Sequence, residues 1–291
     1  MRATVPKVAA IAALVSALGA ASCSKPARPR PIDCVSLLNA LNEARAPAAA
    51  LDLVKQEAAK GNACRYAEVA TKVALDADLH ADALQLLDTV PKDCASPLKF
   101  SGLRAEALAR AGMSDQSEQV AQEVLKGDAS NSYAEWALAR VASDRGQMTA
   151  CGRHAEKALQ LGRGIEADRL LGRSTLAQGQ FKDAEAHFQR VLLESPNDVE
   201  ASFSAGVCND KLGRYHQARE AFLQTLQANP KHAEARRYLV LLANRAGAKD
   251  EARHHLRKLA ELVPKGSDVI SDLDELISGG AAGASGGAKT N

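Results

Sequence analysis

The stretch Val199–His232, VEASFSAGVCNDKLGRYHQAREAFLQTLQANPKH, limits the fold of this chain more than any other. It reads as two amphipathic helices, roughly Val199–Leu212 and Tyr215–Ala228, joined at Gly213 and stopped by Pro230. The unit is 34 residues long, and the neighbouring segments repeat it. A period of that length marks stacked supersecondary units, none of which buries its apolar face alone.

The repeating positions have physical tasks. With Val199 as the first residue, Gly206 and Ala218 are the small residues that let two antiparallel helices approach closely. Phe222 is the large apolar residue that fills the space between adjacent repeats. Gly213 takes the left-handed conformation that ends a helix, and Pro230 cannot continue one. The block Ile165–Asp198 keeps Gly172, Gly179, Ala184, Phe188 and Pro196 in register. The block Ala233–Gly266 keeps Gly247, Ala252, Leu256 and Pro264. This pattern resembles the tetratricopeptide repeat (TPR). The usual fourth-position Trp of that family is replaced by Asp168, Ser202 and Arg236.

The resemblance implies an all-α fold: a right-handed α-solenoid of about six or seven helix pairs over residues 32–266. Ile32–Asn62 is a degenerate pair, with Cys34, Leu37, Leu38 and Leu41 on one face. Cys64–Pro97 follows with Asp78 where the turn glycine belongs. Leu98–Asn131 carries Gly112 there, and Ser132–Gly164 is one residue short of a period. A short helix over 267–277, with Val269, Leu273 and Ile277 on one face, is expected to cap the stack. The Gly/Ala-rich tail 278–291 is expected to be disordered. Aromatic residues make up only 3% of the chain, too few for an ordinary globular core but enough for Ala-packed helices.

Residues 1–22 have the form of an export signal: Arg2 and Lys7, then an apolar run over 8–21 that is short for a membrane span. Ala20-Ala21-Ser22-Cys23 resembles a bacterial lipoprotein cleavage site, which implies lipidation of Cys23. Residues 23–31 form a Pro-rich tether. Ser24 after Cys23 leans toward the outer membrane by the enterobacterial sorting pattern; soluble periplasmic or secreted export is the alternative.

Export makes disulfides chemically accessible. Cys64 starts a first helix and Cys94 follows the second helix of the same pair, so both lie on one edge; Cys34 is an alternative partner. Cys151 and Cys208 read as small buried residues. No CxxC pair suggests a metal site, His254 and His255 are adjacent rather than helically spaced, and no cofactor is expected. No GxxxxGK, GxSxG or HExxH motif proposes catalysis. A net charge of +2 argues against nucleic acid as partner.

In TPR proteins the first helices line a concave groove. Carrying the groove positions over gives Trp136, Arg140, Arg169, Arg173, Phe203, Val207, Asp210, Lys211, Arg237, Leu241, Asn244 and Arg245. Five arginines interleaved with a Trp and a Phe suggest a protein or peptide ligand with acidic and apolar residues. The competing reading is that the arginines pair with Glu166, Glu200 or Glu234 beside them. The Lys/Asn carboxylate clamp of chaperone-adaptor TPRs is not expected, because Ser204 and Tyr238 occupy its sixth position. The architecture resembles bacterial TPR lipoproteins that help assemble outer-membrane machinery. It implies a non-enzymatic scaffold held to a membrane through an N-terminal lipid. The alternative is an adaptor of an envelope enzyme such as a cell-wall hydrolase or protease, distinguished by a second apolar patch on the convex side. A buried His–carboxylate pair in a cleft would instead favour catalysis.

Overall fold

The computed structural model describes residues 63–91, 94, 96–264 and 266–279, with the isolated positions 52 and 56. The leader 1–22, Cys23, the tether, Cys34, nearly all of the pair expected over 32–62 and the tail beyond Gly279 lie outside the described residues. Among the described residues there are thirteen α-helices and no strand. Along the chain they alternate as first and second helices: α1 (Ala63–Asp76) and α2 (His80–Asp88), α3 (Pro97–Arg110) and α4 (Ser114–Gly127), then α5 (Ser132–Asp144) and α6 (Met148–Gln160). Next come α7 (Gly164–Ala177) with α8 (Phe181–Glu194), α9 (Val199–Lys211) with α10 (Tyr215–Ala228), and α11 (Ala233–Arg245) with α12 (Lys249–Ala260). A final helix, α13 (Asp268–Ser278), packs on α12 and α11. This is an all-α solenoid fold.

The turn inside each pair is a single left-handed residue. Gly112, Gly146, Gly179, Gly213 and Gly247 have φ between 73° and 76°. Asp78 takes the same place with φ 58°, a conformation that Asp tolerates better than most residues. Successive positions are 34 residues apart, with one interval of 33 between Gly146 and Gly179, where the short repeat lies.

Small residues set the packing distance. Ala184, Ala201, Ala205, Cys208 and Ala218 are completely buried. A Cβ on Gly206 would stand 2.6 Å from the Phe222 ring, and one on Gly172 2.8 Å from Phe188. Each glycine is thus the socket for the phenylalanine of its own repeat, and Phe222 also packs on Ala235, Leu239 and Leu242 of the next. Two fully buried rings, one per repeat, do the space-filling that a globular core spreads over many aromatics.

The chain divides into two compact units, between Val141 and Ala142. In the first, Ala70, Val73, Leu75, Leu86, Leu103 and Tyr133 form a core. Glu68 of α1 accepts bonds from Lys72 at 3.0 Å and Tyr133 at 3.2 Å and pairs with Lys99 at 2.5 Å. A disulfide joins Cys64 to Cys94, with Cα atoms 5.6 Å apart. In the second unit, Leu273 and Ile277 of α13 are buried against α11 and α12. The third residue on that face is Ile270; Val269 is 41% exposed, because its place on the helix turns it outward. Ser267 stands at the N-cap of α13 but its side chain makes no capping bond.

Candidate protein-binding face

Side-chain contacts define two faces of the second unit. The first helices touch along one: Arg169 of α7 pairs with Asp198 at the start of α9, and Arg173 with Glu200 at 3.5 Å. Phe203 of α9 meets Tyr238 of α11 at 5.8 Å between centroids, and Asp210 meets Arg245 at 3.4 Å. The second helices are tied along the other face by Arg214–Glu185 at 3.2 Å and Arg219–Glu251 at 2.7 Å.

The first-helix face has an apolar middle. Phe203 and Tyr238 are half-buried and rest on Phe222, with centroids 5.6 and 4.8 Å away. Val207 packs beside them and Leu241 one turn beyond Tyr238; both are half-buried. Charged residues surround this floor, and the arginines among them are already paired. Besides the three pairs above, Arg237 bonds Glu234 at 2.9 Å and lies over Tyr238, while Arg245 lies 4.3 Å over Tyr215. Lys211 is exposed and makes no ion pair among the described residues. Of the residues read as ligand contacts, Phe203, Val207, Lys211, Arg237 and Arg245 thus share a face with Arg169 and Arg173.

Arg169 also has a structural task. It holds Oδ2 of Asp198, whose Oδ1 accepts the Ala201 N–H at 2.8 Å and caps α9. A charge reversal there would put two anions together at a helix start, so it would damage folding as well as binding. Trp136 and Arg140 belong to the first unit. Trp136 is 4% exposed beneath the Arg110 guanidinium, 4.7 Å from its ring centroid. It packs as a core residue rather than presenting itself to a ligand, because α5 turns that position inward. Arg140 is half-buried.

Two of the three places left by the family Trp hold polar ties between paired helices. Ser202 of α9 accepts a bond from Thr225 of α10 at 3.0 Å. Asp168 of α7, buried, bonds Arg190 at 2.7 and 3.0 Å and His187 at 2.8 Å, both from α8. Burial by itself would raise the Asp168 carboxyl; the bonds from Arg190 and His187 outweigh it and hold it below the usual carboxylate range. This joins a half-buried His to a buried carboxylate, but no described cleft contains the pair, and Arg190 occupies the carboxylate. Its chemistry is that of a strut. Among the described residues no group of His, Cys, Asp and Glu is arranged to hold a metal ion.

Cys151 and Cys208 are free thiols, fully buried; burial pushes them up to about 11 and about 12. On the second helices Leu193 is 81% exposed, and the other exposed large apolar residues of this unit are dispersed at Leu161, Tyr215, Val269 and Leu276. The groove positions carried over from the family omit Tyr238, one of the four residues of the apolar floor, and His232, whose ring lies 4.7 Å from Phe203. Aligning the repeats exposes the second: His232 stands 34 residues after Asp198.

Two family models described as tetratricopeptide repeat match residues 175–225 and 210–267. Among solved structures, YrrB, described as a TPR protein with an unusual peptide-binding site, is 21% identical with a TM-score of 0.54. The match covers 67% of this chain and 97% of YrrB. A MamA structure is 23% identical with a TM-score of 0.50, over 54% of this chain and 93% of that one. MamA from Desulfovibrio magneticus RS-1 is 18% identical with a TM-score of 0.51, over 57% and 94%. At these identities the likeness is one of fold. No curated protein sequence matches.

Proposed function

Since this chain is a tetratricopeptide-repeat protein, its repeats matched over residues 175–267, we propose that it is a non-enzymatic scaffold that docks a segment of another protein on the first-helix face of its second unit. The observation that carries this reading is the half-buried floor of Phe203, Val207, Tyr238 and Leu241, ringed by charged residues. Aromatic and aliphatic anchors of this kind supply most of the energy of a protein contact, while rim charges orient it. The in-chain pairing of Arg173, Arg237 and Arg245 changes the expected ligand. Apolar side chains provide its affinity, and acidic ones add at Lys211 or by exchanging with the resident carboxylates.

The test is peptide display against the full chain and its Val207→Asp/Leu241→Asp variant. The wild type should enrich peptides with apolar anchors, and the variant should bind them at least tenfold more weakly while keeping its helical circular dichroism. Equal binding by both proteins would place the contact elsewhere.

The same reading places the chain on the periplasmic side of a bacterial membrane, anchored through Cys23 and spaced from it by residues 23–31, where it assists an outer-membrane assembly. The support is the pattern of residues 1–31. Metabolic labelling with a fatty-acid analogue should mark the wild type and not Cys23→Ala. An unlabelled wild type would favour soluble export.

A further inference from the structure

At three boundaries the residue that closes a repeat caps the first helix of the next. Asn131 Oδ1 accepts the Ala134 N–H at 3.1 Å, and Asp198 Oδ1 accepts that of Ala201 at 2.8 Å. At the same place before α11, His232 Nδ1 accepts the Ala235 N–H at 3.1 Å. The first two acceptors keep their lone pairs across the neutral and mildly acidic range. An imidazole nitrogen accepts only while it carries no proton, so this cap requires a neutral ring with its hydrogen on Nε2. The ring is also part of the floor: it lies on Phe203, 4.7 Å between centroids and 34° from parallel, and Phe203 in turn packs on Phe222 and Tyr238.

We infer that His232 is a proton-operated latch on the proposed docking face. Acidification turns Nδ1 from acceptor into donor, leaving it facing the Ala235 N–H with no bond between them. It also places a cation at the positive end of the α11 dipole. Both effects expel the ring from its capping position, so the first turn of α11 loosens and the wall formed by Phe203 and Tyr238 loses a member.

The charges around the ring do not offset this. Lys231 adjoins His232 in the turn, and Glu234, Arg236 and Arg237 follow it on α11. Arg237 engages Glu234, and Arg236 donates to the Pro230 carbonyl at 2.8 Å. From the neighbouring first helices, Glu200 of α9 is paired with Arg173 of α7. Among the described residues no carboxylate lies within 4.0 Å of the His232 nitrogens to hold an imidazolium in place. The stabilisation is therefore present while the ring is neutral and lost as the pH falls.

The consequence for binding rests on the docking reading; the latch itself is read without a ligand. Amide-exchange protection factors, which remove the intrinsic pH dependence of exchange, are measured for the full chain at pH 7.5 and 5.5. The same is done for His232→Asp and His232→Asn, which install caps that remain acceptors at both pH values. In the wild type the Ala235 amide should lose about fivefold in protection at the lower pH, the size of a lost N-cap. Both variants should hold it, and the Ala201 amide beneath Asp198 should hold in all three proteins. An equal loss in the variants, or none in the wild type, overturns the latch whatever the face binds. If Ala235 responds as expected while displayed peptides ignore Val207 and Leu241, the latch stands and the docking reading fails.

Discussion

Gly206 shows how a helix-unfavourable residue can be the stable choice. Alanine is better than glycine within a helix by about 1 kcal/mol. Here its Cβ would sit 2.6 Å from a ring that is completely buried and cannot swing away. Gly206→Ala should lower stability to urea by about 1–3 kcal/mol, the usual cost of overpacking; a gain would show that the Phe222 ring has room. The buried thiols have an equally plain test. Cys208, pushed up to about 12, and Cys151, at about 11, should react with a thiol reagent at pH 8 only as fast as the protein opens. Rapid modification without denaturant would show the packing to be looser. His255 lies buried on α12 with Nδ1 unpartnered, and burial, with His254 beside it, holds its pKa below the ordinary imidazole value. The sign follows: the unfolded chain takes the proton first, so stability is full above the ordinary value and falls as pH drops toward the folded one. His255→Gln should flatten the urea-midpoint profile in that window, and an unchanged profile would assign the effect to other groups.

Within a helix pair, hydrophobic spacing told where the helices are, and the structure told how they are fastened. The period, the left-handed turns and the small-residue positions were all legible, because each is a local demand on residue size or backbone conformation; that Gly172 and Gly206 seat the phenylalanine of their own repeat was not. The strut of Asp168, His187 and Arg190 was not. Asp168 stood at the place of the family Trp, in a sequence where a quarter of the residues are charged, and nothing local marks it as buried. Its burial depends on a neighbour 22 residues along the chain bringing a guanidinium to it. Asp168→Asn should cost about 1–3 kcal/mol, because the ionic bonds to Arg190 weaken to neutral ones. The carboxyl is depressed in the folded state, so its contribution is present above the usual carboxylate range and disappears as acid protonates it. A denaturant series on the wild type and the variant between pH 3 and 7 checks this: the two should converge at the acid end. The charged rim divides the same way. Sequence supplied the arginines and, as one of two readings, their pairing with Glu200 and Glu234; the approach of α7, α9 and α11 added Asp198 and Asp210 as partners of Arg169 and Arg245.

In a solenoid the energy is approximately a sum of repeats and nearest-neighbour interfaces, so a local cross-link acts locally. The Cys64–Cys94 bridge closes a separation of 30 residues within the first unit. Loop-closure entropy gives such a bridge about 3–4 kcal/mol. Reduction should increase amide exchange in α1 and α2 and leave α9 to α11 as they were; uniform loosening would mean that the whole chain unfolds as one. The sequence alone determined the helical class, the 34-residue period and its one short interval, the turn residues and the small-residue packing. Each of these is set by backbone conformation and side-chain volume within a few residues of itself. Tertiary structure alone decided that Trp136 is core, that Arg169 supports a helix cap, that Ile270 rather than Val269 closes the stack, and that His232 joins a cap to an aromatic floor. Those roles depend on which atoms from distant parts of the chain meet, and on which charges find partners when they do.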